Sequence, residues 1–105
     1  MKPVFDIDKY SSRDISMRCD TEDKARIFLI YLDSLSLKWC TGKSYIKELH
    51  WTDYKEKTVY YFNDGSYGSG VFAEQILEFD DFDWSKWGYR ELKGGDLLNM
   101  LGGNK

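Results

Sequence analysis

Proline, cysteine and histidine are scarce in this chain of 105 residues, and their scarcity excludes several classes of protein. The one proline is Pro3, so proline interrupts no regular structure further along the chain. The two cysteines, Cys19 and Cys40, are too few for a disulfide scaffold and form no Cys-x-x-Cys pair. No apolar run reaches the roughly 20 residues of a membrane span, or suits a signal peptide. We therefore expect a cytoplasmic protein with reduced thiols and no membrane segment.

Positive charge is also in short supply. The formal net charge is −3, from 15 basic and 18 acidic residues. The excess of acid lies in residues 51–105, which carry six basic and ten acidic side chains, against nine and eight in residues 1–50. A protein that holds phosphate backbones usually shows the opposite balance. We therefore expect no direct binding to nucleic acid.

The motifs that would indicate an enzyme or a metal site are incomplete. Gly-Lys-Ser at 42–44 is similar to the end of a phosphate-binding loop, but Leu37 stands where that loop needs its first glycine. Cys19, Cys40 and His50 are isolated, whereas zinc ligands usually come in closely spaced pairs. A nucleophile activated by His50 would also need an orienting group and an oxyanion hole, which spacing does not reveal. We expect no enzyme, no cofactor and no metal.

The hydrophobic pattern predicts a single α+β domain over residues 1–105, with a small, mostly antiparallel sheet packed against one main helix. Residues 14–19 alternate between apolar and polar side chains, which indicates a half-buried strand. Asp20 or Thr21 then offers a cap for a helix. The apolar stripe of that helix recurs at helical spacing and consists of Ala25, Phe28, Leu29, Leu32 and Leu35.

Further strands are expected at 57–62 and 75–79, where β-branched, aromatic and aliphatic residues concentrate. Asn-Asp-Gly at 63–65 is a strong turn signal. Shorter strands are expected at 4–7 and 37–40. Residues 1–12 are expected to be a lead-in, 96–101 are compatible with a short C-terminal helix, and 102–105 are expected to be mobile.

The segment 74–87 interleaves carboxylates with large rings. Carboxylates spaced along a surface can imitate a phosphate backbone and occupy a basic groove on a partner, with the rings as contact residues. The partner-binding residues that we predict are Glu74, Glu78, Asp80, Asp81, Asp83, Trp84 and Trp87. The alternative interpretation is a solvated edge whose rings turn inward.

A second cluster of rings lies near flexible glycines and suits a ligand that stacks on aromatic side chains. Its predicted residues are Trp51, Tyr54, Tyr60 and Tyr61, with Lys43 and Lys57 for phosphate, and Tyr67 lies close by. Core packing is the alternative. Because neighbouring strand residues point to opposite faces, Tyr60 and Tyr61 cannot both be buried unless both faces of the sheet are covered.

The order of these motifs resembles a group of small phage and prophage proteins of Gram-positive bacteria. The resemblance covers residues 14–83 and rests on the acid-capped helix, the stretch 37–45, Trp51, Tyr54 and the stretches 58–62 and 76–82. It implies a phage accessory protein, of a type that includes anti-CRISPR inhibitors and other suppressors of host defence. It carries no catalytic residue over to this chain.

The resemblance and the acidic second half together predict an inhibitor that binds a bacterial defence protein, in the first place a type II CRISPR nuclease, and blocks its nucleic-acid channel. One alternative is a sponge that sequesters a nucleotide second messenger of host immunity. The other is a regulatory or structural domain in the phage.

Overall fold

The computed structural model describes residues 2–12, 14–71 and 73–89, and within them it contains one α-helix and one four-stranded sheet. The strands are β1 (Ile15–Arg18), β2 (Val59–Tyr61), β3 (Ser66–Gly68) and β4 (Gln75–Glu78), and the helix is α1 (Glu22–Ser34). Short 3-10 helices occupy Ile7–Lys9, Trp51–Asp53, Lys55–Lys57, Phe79–Asp81 and Ser85–Trp87. These elements confirm the predicted α+β class.

The strands are arranged in the order β3-β2-β1-β4. The pairings of β1 with β2 and of β2 with β3 are antiparallel, as predicted for most of the sheet, whereas β1 and β4 run parallel. In the parallel pair, Ser16 lies opposite Ile76 and Arg18 lies opposite Glu78. Because parallel strands end at the same edge, the residues that follow β1 and β4 also lie close together.

Helix α1 begins where its sequence predicts. The Thr21 hydroxyl oxygen accepts a hydrogen bond from the backbone N–H of Lys24 at 3.2 Å, so Thr21 provides the cap. Glu22 and Asp23 stand in the first turn, where the helix dipole favours negative charge. Leu35, predicted to extend the buried stripe, lies just past the end of the helix and is 43% exposed.

Helix α1 covers one face of the sheet, and the residues after β3 cover part of the other. The buried side chains of α1 pack on the face that carries Met17 and Tyr60. The connection from β3 to β4 must cross β2 and β1, and on the other face Gly70 lies against the side chains of Val59 and Ile76. This covering layer explains why Ser16, predicted to point away from the core, is fully buried.

Two predicted strands are reduced to single bridges. In residues 4–7, Val4 pairs with Asp83 and the chain then enters a 3-10 helix. In residues 37–40, Lys38 pairs with Ser44. Among the residues described, no helix has both the length and the apolar character needed to cross a bilayer. The helix expected at 96–101 and the mobile end expected at 102–105 lie outside the described residues.

Candidate functional site

The predicted carboxylates follow the course of β4 and the 3-10 helix after it. We call the five residues Glu74, Glu78, Asp80, Asp81 and Asp83 the acidic segment. Glu74, Asp80 and Asp81 are exposed, and Glu78 and Asp83 are half-buried. Five carboxylates therefore stand within ten residues of chain, at or near the surface.

Two cations neutralise part of this charge. The Arg18 guanidinium donates to both carboxylate oxygens of Glu78, with Nε at 3.0 Å from Oε1. The Lys24 ammonium lies 2.7 Å from an oxygen of Asp20 and 2.8 Å from an oxygen of Asp80. The bridge from Lys24 depends on the parallel pairing, because only that pairing brings the residues after β1 and β4 together.

These contacts change the acid–base properties of both cations. The pKa of Arg18 is raised, first by its hydrogen bond to Glu78. Burial acts to lower the pKa of Lys24, but the hydrogen bonds to Asp20 and Asp80 outweigh burial and raise it overall. Both side chains therefore stay charged at any physiological pH. Glu74 and Asp81 are left as exposed carboxylates with no ion pair within the described residues.

The large rings of this segment do not form the exposed contact surface that the sequence predicts. Trp84 is 2% exposed, and its indole N–H donates to the carbonyl oxygen of Phe79 at 2.8 Å. Trp84 is therefore not the exposed contact residue that the sequence predicts, because nearly all of its side chain lies within the core. Trp87 is half-buried and packs edge-on against Tyr31, with ring centroids 5.3 Å apart.

A groove nevertheless opens beside the buried rings. Its volume is about 350 Å³, and its lining combines apolar rings with the side chains of Asp80 and Asp83. The other lining residues are Lys2, Phe79, Phe82, Trp84, Ser85 and Tyr89. The Asp83 carboxylate accepts a hydrogen bond from the Ser85 backbone N–H at 3.0 Å, which lowers its pKa and keeps it charged. We call this feature the aromatic groove.

The second predicted site is brought together only in part. Tyr54 and Tyr61 line a cavity of about 590 Å³ together with Tyr67, which we call the tyrosine cavity. Tyr60 is 1% exposed, and its hydroxyl donates to the carbonyl oxygen of Leu49 at 2.8 Å. The prediction of Tyr60 as a ligand-binding residue is therefore wrong.

Trp51 also points away from the tyrosine cavity. It is half-buried, and its indole N–H donates to the carbonyl oxygen of Cys19 at 2.8 Å. Lys43 forms an ion pair with Glu48 at 3.1 Å, and Lys57 is exposed. None of these three side chains lines the cavity.

The described lining of the tyrosine cavity contains carboxylates instead of the predicted lysines. Asp14 and Asp64 are its charged members. The hydroxyl of Tyr67 donates to Asp53, and this hydrogen bond is the main reason that the pKa of Tyr67 rises to about 12. Carboxylates beside a cavity repel phosphate, so the described lining suits a neutral or cationic ligand better than a nucleotide.

His50 is held in a stack of rings next to the tyrosine cavity. Its imidazole lies parallel to Tyr67 with centroids 4.5 Å apart, meets Trp39 edge-on at 4.9 Å, and is hydrogen-bonded to Glu48 at 3.1 Å. Its backbone adopts φ of 57°, an unusual value for a residue with a side chain. These contacts leave the imidazole half-buried among rings, with one hydrogen bond to a carboxylate.

The two cysteines lie in different environments. Cys19 is buried, and burial raises the pKa of its thiol, so it is protonated at neutral pH. Cys40 is exposed beside a small pocket that His50 also lines. Within the described ranges, no three histidine, cysteine, aspartate or glutamate side chains are grouped so that they could hold a metal ion.

Sequence reasoning missed the residues that organise the acidic segment. The spacing of Asp20 and Lys24 indicates a contact within one helical turn, but the contact of Lys24 with Asp80 spans 56 positions. No local pattern reports the parallel pairing that creates it.

Comparisons of this chain with protein-family models, curated proteins and solved structures find no match.

Proposed function

We propose that this chain is a protein-binding module that covers a basic surface of a partner with its acidic segment. One observation carries the proposal. The segment holds five carboxylates within ten residues, and two of them, Glu74 and Asp81, are exposed and make no ion pair within the described residues. A surplus of negative charge therefore faces solvent where a positively charged partner would be attracted.

The partner that we propose is a bacterial defence nuclease, in the first place a CRISPR nuclease. Such enzymes hold nucleic acid in positively charged channels. An acidic protein seated there competes with the phosphate backbone. Support for this choice comes from the charge of the segment and from the resemblance to small phage proteins. The negative net charge also supports a protein partner over nucleic acid.

The aromatic groove adds a specific contact to this general attraction. A lysine or arginine side chain of the partner would lie against the rings of Phe82 and Trp84, with Asp80 and Asp83 beside its charge. Cations are attracted both to the faces of aromatic rings and to carboxylates. The rings thus contribute as the lining of a groove, and no tryptophan has to project into the partner.

The decisive experiment neutralises two carboxylates of the acidic segment whose loss should not destabilise the fold. Glu74 and Asp81 are exposed and make no ion pair within the described residues, so the double variant E74Q/D81N should fold normally. A matched control, D8N/E56Q, removes the same charge from exposed positions outside the acidic segment. The readout is inhibition of DNA cleavage by a type II CRISPR nuclease, with pull-down from a bacterial lysate followed by mass spectrometry.

We expect E74Q/D81N to weaken partner binding by roughly two- to thirtyfold, because each of the two exposed charge pairs contributes about 0.2–1 kcal/mol. The loss should shrink as salt is added, and the control should bind like the unchanged protein. Equal binding by both variants at low salt would remove the proposal. A captured partner without nuclease activity would leave acidic recognition standing and reject the nuclease.

A second candidate function is binding of a small ligand in the tyrosine cavity. The observation in its favour is the meeting of Tyr54, Tyr61 and Tyr67 around about 590 Å³. Calorimetry with cyclic and linear nucleotides tests the version in which the chain sequesters an immune signal. Binding that disappears in Tyr54→Ala would support it, and the absence of heat across the panel would reject it.

A further inference from the structure

Strand β4 is an edge strand. It pairs with β1 on one side, and no other strand of the described chain pairs with its second side. Gln75 is exposed and Ile76 is 36% exposed, so the strand is accessible from solvent. Edge strands present unpaired backbone groups, and a further strand can add to them.

The pairings within the sheet identify the backbone groups at this free edge. The Cys19 N–H donates to the carbonyl oxygen of Thr58 near β2, so the peptide groups of Ser16 and Arg18 face the opposite way, toward β4. In the parallel register, Ser16 and Arg18 then bond to Gln75 and Leu77. The N–H and C=O of Ile76 and the N–H of Glu78 consequently point away from β1.

The free edge lacks the usual devices that prevent strand addition. Proline, lysine and a bulge commonly protect edges, and β4 itself, Gln75–Glu78, contains none of them. Glutamates flank it instead. Glu74 precedes the strand and Glu78, which is paired with Arg18, ends it, so a carboxylate stands at each end of the edge around Ile76.

The charges decide which kind of strand fits. If two copies of β4 paired edge to edge about Ile76, Glu74 of each copy would face Glu78 of the other, and like charges directly opposite are destabilising. A strand with lysine or arginine at those two positions gains attraction instead. A residue opposite Ile76 would meet an apolar side chain.

We propose that the free edge of β4 accepts an extended segment of a partner protein by strand addition, and that this segment has the pattern basic–x–apolar–x–basic. The backbone groups of Ile76 and Glu78 supply the hydrogen bonds, and Glu74, Ile76 and Glu78 select the side chains. The inference rests on the proposed function and names its mode of recognition.

Two variants separate backbone pairing from side-chain contact. Ile76→Pro removes the outward N–H and breaks no bond to β1, whereas Ile76→Ala removes the side chain and keeps the N–H. The probe is a fluorescent peptide with the repeat Lys-Thr-Val-Thr, and its charge-reversed control has Glu in place of Lys. Binding is measured by fluorescence anisotropy, and urea unfolding establishes that each variant is folded.

We expect the lysine peptide to bind and the glutamate peptide not to bind. Ile76→Pro should weaken binding by up to about tenfold relative to Ile76→Ala, since it loses the backbone hydrogen bond that the residue 76 N–H donates to the added strand. Equal affinity of the two variants would overturn strand addition. If Ile76→Pro does not fold, amide hydrogen exchange of the unchanged protein decides, because the peptide must then protect the Ile76 and Glu78 amides.

The outcomes distinguish the two proposals. If E74Q/D81N weakens peptide binding but Ile76→Pro does not, the acidic segment binds its partner without strand addition. If neither variant changes binding, both proposals fail. Protection of the Ile76 amide without peptide would overturn the partner assignment: dependence on protein concentration would then indicate a second copy, and independence would indicate residues 90–105 of the same chain.

Discussion

Trp84 stacks on Phe79, with ring centroids 4.7 Å apart and an angle of 8° between the ring planes. The indole N–H of Trp84 also donates to the carbonyl oxygen of Phe79. Phe79 therefore packs against the apolar surface of the Trp84 ring and also accepts its hydrogen bond. Trp84 further packs against Phe5 and Phe28 with centroids 5.7 Å away. The chain that follows β4 is therefore closed onto the core, and its carboxylates are left outside.

Replacing Trp84 with alanine should destabilise the protein by about 3–5 kcal/mol, as expected for a large aromatic side chain removed from a core. Trp87→Ala is the matched control and should cost less, because Trp87 is only half-buried. Urea unfolding followed by circular dichroism measures both. A cost for Trp84→Ala no larger than that for Trp87→Ala would show that Trp84 is not a core residue.

Alanine at Gly65 should destabilise the protein more than alanine at Gly42. Both adopt positive φ, 77° at Gly65 and 87° at Gly42, so alanine is strained at either position by about 1–2 kcal/mol. At Gly65 an added Cβ would also lie 2.7 Å from the backbone nitrogen of Cys40, which adds about 1–3 kcal/mol of overpacking. No atom of the described residues lies within 4 Å of a Cβ at Gly42. In thermal unfolding, Gly65→Ala should therefore have a clearly lower melting temperature than Gly42→Ala. Equal melting temperatures would contradict the prediction.

Elements with strong local signals were predictable from the sequence. Strict alternation located β1, and the cap expected at Asp20 or Thr21, with the stripe through Phe28 and Leu32, located α1. The dense β-branched and aromatic run located β2, and the turn signal at 63–65 located the bend after it. In each case the local pattern and the tertiary packing favour the same conformation.

Features that depend on long-range contacts were not predictable. Strand β3 has three residues, two of them polar or glycine, and it exists because β2 offers it a partner. The parallel pairing of β1 with β4 joins residues 60 positions apart, and it decides that Lys24 meets Asp80. Composition showed that segment 74–87 holds rings and acids, but burial of Trp84 depends on Phe5 and α1, which lie far away in sequence.

Lys24 should stabilise the fold because its ammonium pairs with both Asp20 and Asp80 and offsets the repulsion between these two carboxylates. Its side chain is 12% exposed, while the two carboxylates are about half exposed. We expect Lys24→Met to cost about 1–2 kcal/mol, since solvent screens both pairs in part. Adding Asp80→Asn should recover part of that cost by removing the repulsion between the carboxylates. Urea unfolding of the two single variants and the double variant forms a complete cycle, and strictly additive costs would contradict the coupling.

The stability of the protein should fall as pH rises above the ordinary pKa of tyrosine. Burial raises the pKa of Tyr60 above its usual value of 10.0, and burial raises the pKa of Tyr45 to about 12. A group whose pKa is higher in the folded state stabilises it fully below the unfolded pKa, and that contribution is lost as pH rises through the folded value. The free energy of unfolding should thus be unaffected by these groups near neutral pH and decline from about pH 10 upward.

Tyr60→Phe isolates one part of this decline. At neutral pH the variant loses the hydrogen bond to the Leu49 carbonyl oxygen, which costs about 0.5–1.5 kcal/mol and does not depend on pH in that range. Above pH 10 its free energy of unfolding should fall less steeply than that of the unchanged protein. The reason is that the variant lacks the Tyr60 phenol, which ionises in the unfolded state of the unchanged protein but not in its folded state. Urea unfolding at a series of pH values measures the slopes, and phenolate absorbance reports the ionisation. Parallel slopes would contradict the prediction, because they would mean that Tyr60 ionises in the folded protein although it is only 1% exposed.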